Sequence, residues 1–402
     1  MGFTDMNSKE RVSAAMAHRA PDRVPVMCQL ALGHYFLHCK AGPADIWFDS
    51  QTFAGALVEL QRRYGFDGIL VNIPGRPPDW RDQIESRRKV GDREYLYWKP
   101  RFQTVVPPDD NLQTFGPDES RLARADYKAM DLETEDIASL PAGYVWNTWH
   151  MPELWGIESD ADLSDPTAYP KWFTGTLEKV QHLAPEVSVH VEVFSPFTHL
   201  MELFGYEQAL MALVDAPQTC HKALATFTKV VLAQVQLYAA CRPDAILVSS
   251  AFAGAGFISR RMYQEFVAPY EDEVFRAIRE RGVKSYVHTC GAIGDRLDLM
   301  AGTSVDGIDT LDPPPLGTVD LARAKADYGD RFFFKGNLDA VNEMLHADDA
   351  TFEQAVRDRL RIGKPGSGYI LSSACSVAPH VKPDRLKRLV ELANEFGVYD
   401  RK

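Results

Sequence analysis

The residues of this chain best suited to chemistry are one histidine and two cysteines. Val287-His288-Thr289-Cys290-Gly291 ends one apolar run, and Leu371-Ser372-Ser373-Ala374-Cys375 ends another. Residues two apart on a strand share a face, so the His288 imidazole and the Cys290 thiol can converge on one point. If Cys375 brings a second thiol to the same rim, the set is His, Cys, Cys with one position open, the ligand pattern of a catalytic Zn²⁺. Either fragment alone is weak, because buried cysteines and satisfied core histidines are common. Two separate runs ending in soft ligands favour zinc. In Gly307-Ile308-Asp309-Thr310-Leu311-Asp312, Asp309 and Asp312 are the candidate catalytic carboxylates: a fourth ligand, an acid, or the group that orients His288. A rival cluster, His34, His38 and Cys39, has its histidines one helical turn apart but no third ligand, and reads as a solvated helix face.

These residues need a scaffold that delivers strand ends to one rim. Eight short runs bounded by turn-forming residues read as strands: Val24 to Cys28, Ile69 to Ile73, Val187 to Phe194, Ala245 to Ser250, Ser285 to Cys290, Gly307 to Leu311, Phe332 to Gly336 and Tyr369 to Ser373. Most are continuously apolar, as parallel strands covered on both faces are. Amphipathic stretches such as Ile46 to Tyr64, Arg260 to Arg281 and Leu386 to Phe396 lie between or after them, and Asn7 with Glu10 can form a capping box. Eight strand-helix alternations predict a single α/β domain over residues 1–402, a (β/α)₈ TIM barrel with active residues at the C-terminal strand ends. An open doubly wound sheet would carry a glycine-rich turn after its first strand, and Val24-Pro25-Val26-Met27-Cys28-Gln29 has none.

The second and third runs are more than a hundred residues apart. Residues 74–141 between them are rich in Pro, Asp and aromatics and read as an insertion or lid on one barrel loop. Glu94 to Trp98 and Phe102 to Val106 are expected to form a hairpin within it. All seven tryptophans fall between Trp47 and Trp172, so this insertion either covers an aromatic ligand or, more simply, has a small core of its own.

Composition excludes several partners. With 44 Lys and Arg against 56 Asp and Glu, the net charge is −12 and no basic cluster is available to neutralise nucleic-acid phosphates. The apolar runs around Phe332 to Phe334 and Tyr369 to Leu371 fall short of the ~20 residues that span a bilayer, so no membrane partner is expected. The opening residues lack the charged and apolar regions of a signal peptide, and six sparse, irregular cysteines do not make a disulfide framework. A cytoplasmic protein with free or metal-bound thiols is expected, and an acidic barrel of this kind is a possible homodimer.

Ser8-Lys9-Glu10-Arg11-Val12 followed by Pro21-Asp22-Arg23-Val24-Pro25-Val26 resembles the opening of the uroporphyrinogen decarboxylase superfamily. Phe257-Ile258-Ser259 leading to Val267-Ala268-Pro269-Tyr270, Lys335-Gly336-Asn337-Leu338-Asp339 and the ending at Tyr369-Ile370-Leu371 resemble it too. The decarboxylases proper fit poorly. Their arginine-rich segment after the first strand is here Cys28-Gln29-Leu30-Ala31-Leu32-Gly33, their catalytic aspartate aligns with Asn72, and their late Gly-His aligns with Ala374-Cys375. The chain is more similar to the cobalamin-linked methyltransferase branch, of the methylcobamide:coenzyme M type, whose His-x-Cys and distant Cys zinc ligands match His288, Cys290 and Cys375. The resemblance implies Zn²⁺, a corrinoid co-substrate and a small methyl donor or acceptor, with Asn72 and Asn337 as candidate substrate-binding residues. No Asp-x-His-x-x-Gly corrinoid motif is present, so a corrinoid would be free or carried by a partner corrinoid protein. The insertion's aromatics tilt the substrate toward a methoxylated arene. A metal-free lyase using Asp309 or Asp312 as its acid, and a non-catalytic tetrapyrrole binder, are the alternatives.

Overall fold

The computed structural model describes residues 6–99, 102–116, 124–130 and 161–400. Seven parallel strands form one curled sheet in the order β1 (Gly68–Val71), β6 (Ser188–Phe194), β7 (Ala245–Ser249), β8 (Lys284–His288), β9 (Gly307–Thr310), β10 (Phe333–Leu338) and β11 (Tyr369–Ser373). Each corresponds to an expected run, with helices between successive strands. The expected first strand is a single bridge, Val26 to Leu371, instead of a ladder. Pro25 has no N–H to donate, which breaks the repeat. The segment nonetheless reaches both sheet edges: Met27 N donates to Leu371 O (3.0 Å), Leu371 N to Pro25 O (2.9 Å) and Asp67 N to Val26 O (2.7 Å). The result is TIM-barrel-like.

Alternation along the strands sorts the core into two layers. Leu70, Ala245, Leu247, Tyr286, Phe333 and Ile370 point inward with Met27 and meet Val12, Ala15 and Met16 of the opening helix Ser8–Met16. That helix, started by the Asn7/Glu10 capping box, plugs the N-terminal end. The opposite strand faces join the larger cluster under the helices, with Val71, Val191, Val248, Val287 and Ile308 among its members.

Two expected helices are each divided in two. Asp49 caps Ser50–Tyr64 by accepting from Thr52 N and so separates it from Pro43–Phe48. Pro269, in the first turn of Ala268–Glu280, separates that helix from Arg260–Phe266. The helix Pro217–Ala240 is long and apolar enough to cross a membrane, contrary to the expectation that no stretch is. It packs instead against β6 and its neighbouring helices, burying Leu224, Phe227, Val231 and Val235.

Between β1 and β6 lies a four-stranded antiparallel sheet, β2 (Ile84–Val90), β3 (Arg93–Trp98), β4 (Gln103–Val106) and β5 (Gln113–Phe115). The expected hairpin is β3 paired with β4, with Glu94 opposite Val106 and Tyr97 opposite Gln103. Trp80 and Trp98 are both 1% exposed and close on Phe48 at 5.3 and 4.9 Å between rings. These two tryptophans therefore serve a small core that fastens the sheet to the barrel. Trp146, Trp149 and Trp155 lie outside the described residues.

Closure is held by charge. Asp67, fully buried, accepts from Arg11 Nη1 (2.7 Å), Arg23 Nη1 (2.7 Å), Val26 N (2.8 Å) and Ser8 Oγ (3.0 Å), and Arg11 also grips Asp22 through two bonds of 2.6 Å. Asp67→Ala leaves two arginines without their shared anion and should cost about 3–5 kcal/mol, read by chemical denaturation. A loss under about 1 kcal/mol would contradict this role.

A second buried acid gives a pH signature. Glu271 is 1% exposed, its Oε1 has no partner and Tyr263 OH lies 3.4 Å from Oε2. Burial pushes its carboxyl up to about 7. A pKa higher folded than unfolded means the folded state holds the proton more tightly. The penalty is therefore absent below the unfolded pKa of about 4.3 and complete above the folded value. Glu271→Gln should raise Tm at pH 8 more than at pH 5; an equal shift at both would show that the carboxyl does not ionise in place.

Candidate active site

Strand register builds the site. His288 of β8 is paired with Asp309 of β9, and Asp309 with Lys335 of β10. Three polar side chains thus stand at one level inside the barrel. Asp309 Oδ2 lies 3.1 Å from His288 Nδ1, and Lys335 Nζ donates to Asp309 Oδ1 at 2.9 Å. Burial would raise the Asp309 carboxyl, but Lys335 and His288 outweigh it and hold it down at about 2.

With Nδ1 engaged, His288 turns Nε2 toward the thiols. Cys290 Sγ lies 3.3 Å from His288 Nε2 and 3.9 Å from Cys375 Sγ. Cys290 sits past the end of β8, in a turn, and not on the strand itself as expected. The three ligand atoms lie within 4.8 Å of one another. Two sulfurs about 2.3 Å from a tetrahedral ion are about 3.8 Å apart, and a sulfur and a nitrogen about 3.5 Å. The donor set and spacing therefore fit a tetrahedral soft cation. Burial opposes charge on His288, yet Asp309 and the Cys375 sulfur push its pKa up to about 10. Cys375, bonded by Cys290 and facing His288, is driven down, and its partner Cys290 is driven up. The pocket thus favours a positive charge at Nε2 beside a thiolate, where a metal ion would replace a proton.

The turn carrying Cys290 is held from two sides. Asp312 Oδ2 accepts from Gly291 N at 2.6 Å, and Gly291 has φ 77°. Burial, with the charges of Cys375 and Asp339, lifts the Asp312 carboxyl to about 6. On the other side Gly254 lies so close that a Cβ there would sit 2.5 Å from Cys290 O. Fully buried Arg296 fixes that loop, donating to Ala253 O (2.6 Å) and Ile258 O (3.3 Å). Gly254→Ala should displace Cys290 and weaken Zn²⁺ or Co²⁺ binding by at least about tenfold, read by chelator competition. Unchanged affinity in a folded variant would show that the turn tolerates movement.

The other expected site residues lie apart. Asn72 is buried one residue beyond β1 and lines a small cavity with Cys28, Gln29 and Tyr35. Asn337 donates to Leu311 O (2.8 Å) and accepts from Arg359 Nε (3.3 Å), so its amide ties β10 to its surroundings. The rival histidine cluster is not a solvated face: His34 is completely buried, with Tyr64 OH 2.8 Å from Nε2 and Pro379 O 3.1 Å from Nδ1. All six cysteines are free. Sequence reasoning passed over Lys335 as a site residue, and also Glu192, a carboxyl on β6 that has Ser249 as its hydrogen-bonding neighbour and feels the charges of His288, Asp309 and Lys335. Their signal was a charge inside an otherwise apolar strand, Phe332-Phe333-Phe334-Lys335, and a polar residue at every second position of Val189-His190-Val191-Glu192-Val193.

The family model described as uroporphyrinogen decarboxylase matches residues 158–396, more than half of the chain. The chain belongs to the uroporphyrinogen decarboxylase family. Among curated relatives, this family member is 27% identical over 192 residues to uroporphyrinogen decarboxylase from Nitrosococcus oceani, covering 46% of this chain and 50% of that protein. It is 30% identical over 196 residues to the enzyme from Saccharopolyspora erythraea, covering 47% and 52%. The match thus spans about half the length of these relatives. A solved structure described as a methyltransferase from Methanosarcina mazei superposes with TM-score 0.66 at 13% identity, covering 97% of this chain and 99% of that one. That likeness shows a shared fold across the whole barrel.

Proposed function

We propose that this member of the uroporphyrinogen decarboxylase family is a zinc-dependent methyltransferase. It moves a methyl group between a corrinoid, free or on a partner corrinoid protein, and a small substrate, either a thiol acceptor or a methoxylated or methylated donor. The observation that carries the reading is the convergence of His288 Nε2, Cys290 Sγ and Cys375 Sγ within 4.8 Å at the C-terminal end of the strands. A zinc ion held there would keep a thiol substrate as its thiolate at neutral pH, or polarise the heteroatom of a methyl donor.

The chain's own residues prepare that position. Asp309 fixes the His288 ring so that Nε2, and not Nδ1, faces the thiols. Lys335 keeps Asp309 anionic and correctly turned. Asp312 holds the Cys290 turn through Gly291 N. The antiparallel sheet after β1 fits the role of a lid: Asp109, between β4 and β5, is 2.8 Å from His380, on the loop that follows Cys375.

Zinc content of the purified protein, beside Cys290→Ser and Cys375→Ser, tests the triad. About one zinc per chain is expected in the wild type, with loss of metal and at least about a hundredfold loss of methylcobalamin-dependent thiol methylation in each variant. Full zinc in Cys375→Ser would refute the ligand set. The names of the curated relatives favour a second reading, a metal-free decarboxylase-like lyase with Asp312, its carboxyl lifted to about 6, as the acid. A chelator separates the two, since the lyase would ignore it.

A further inference from the structure

His34 and His38, on the helix Leu32–His38, converge on a single backbone oxygen. His34 Nδ1 lies 3.1 Å and His38 Nε2 3.3 Å from Pro379 O. Pro379 follows Cys375 by four residues, on the loop that carries the thiol. A carbonyl only accepts, so Nδ1 of His34 holds the proton, and Nε2 accepts from Tyr64 OH at 2.8 Å. Burial, with His38 beside it, pushes the His34 imidazole down to about 4, which keeps the ring neutral and this division of roles fixed.

Backbone bonds hold the thiol loop as far as Val377. Ala374 N donates to Leu338 O (2.6 Å), Val377 N to Gln29 O (2.8 Å) and Ala31 N to Val377 O (3.0 Å). Pro379 has no N–H with which to continue that pairing, and its carbonyl is the group that the histidines take. From the other side the antiparallel sheet closes over the same loop. Asp109 Oδ2 lies 2.8 Å from His380 Nε2. Gly33, next to His34, makes room for this approach: a Cβ there would run into Asp109 O and lie 2.8 Å from Pro379 Cγ. A side chain at position 33 would push the sheet and the loop away from the helix.

We infer that His34 is a positioning residue for the Cys375 thiol: acting through Pro379 O, with Asp109 as a brace on the outside of the loop, it sets where the third ligand stands. Metal–ligand distances hold to within about 0.2 Å, so a loop that drifts further than that takes its sulfur out of the set. His288 is oriented by Asp309, and the Cys290 turn by Asp312 and the Gly254 loop. The chain from Tyr64 through His34 to Pro379 is a support of the same kind for Cys375. It also gives the antiparallel sheet a task apart from covering a substrate. The inference rests on the reading of His288, Cys290 and Cys375 as one ligand set, and it adds the residues that hold the third member.

The test compares the full-length wild type with His34→Leu and with His34→Asn, whose amide can stand where Nδ1–H does. Hydrogen exchange of residues 376–381 is read on the metal-free proteins. Co²⁺ affinity and the thiolate-to-cobalt absorption band are read on the loaded ones. His34→Leu is expected to speed exchange in the loop, to weaken Co²⁺ binding at least about tenfold and to diminish the band at saturation. His34→Asn should restore the band and most of the affinity. A merely structural role would lower Tm without changing the band of folded, saturated protein. Unchanged exchange in His34→Leu overturns the inference, as does faster exchange with affinity and band intact, or an Asn variant no better than the Leu one. Should His34→Leu not fold, Asp109→Ala decides in its place: faster exchange with about threefold weaker Co²⁺ upholds the inference, and no change overturns it. A wild type that binds no Co²⁺ refutes the ligand set itself, whereas normal binding in the wild type and the variants removes only this inference.

Discussion

Closure of the sheet is the constraint on which the rest depends. Cys290 follows β8 and Cys375 follows β11, three strands further on. In a flat sheet, with strands about 4.8 Å apart, their sulfurs would be separated by more than about 14 Å. They lie 3.9 Å apart because the sheet curls until both edges bond the Pro25–Met27 segment. What holds that segment is Asp67 with Arg11 and Arg23, at the end of the barrel opposite the thiols. Glu10-Arg11-Val12 and Pro21-Asp22-Arg23, the part of the sequence most evocative of the family, therefore act as a clasp and not as active-site residues.

Register is the second level of organisation. Because β8, β9 and β10 run parallel in a fixed alignment, His288, Asp309 and Lys335 occupy the same height without any loop having to place them. Sites on strands are more exact than sites on loops. Cys290 and Cys375 do sit on loops, and there the structure adds supports: Asp312 under Gly291, Arg296 behind the Gly254 loop, and Ser373 Oγ donating to Cys375 O at 2.6 Å. Support is thickest where the backbone is least regular.

Much of this was legible in the sequence, for physical reasons that differ by element. The apolar runs are long enough and the turns sharp enough to reveal all seven strands of the parallel sheet, and His288, Cys290 and Cys375 stand out because soft ligands at run ends are rare. The first run misled because Val24-Pro25-Val26 has strand composition while Pro25 cannot donate to a ladder. The partnership of Asp309 with Lys335 was hidden because it depends on inter-strand register, which one sequence does not display. His34 was misread because its burial comes from Pro379 and Tyr64, remote in sequence and brought together only by the fold. Nothing in the local pattern showed β2 either, whose Glu85-Ser86-Arg87-Arg88-Lys89 run is polar and largely exposed.

The spacing of the two thiols has a consequence for handling the protein. Sulfurs 3.9 Å apart need to approach by less than 2 Å to reach the roughly 2.05 Å of a covalent disulfide, and the lowered Cys375 pKa supplies the reactive thiolate. Mild oxidants would therefore join Cys290 to Cys375 and remove both ligands in one event. A bound cation would protect the pair by occupying the lone pairs that attack. Metal-free protein kept in air would lose its metal-binding capacity progressively, and a thiol reductant would restore it for as long as the oxidation had stopped at the disulfide.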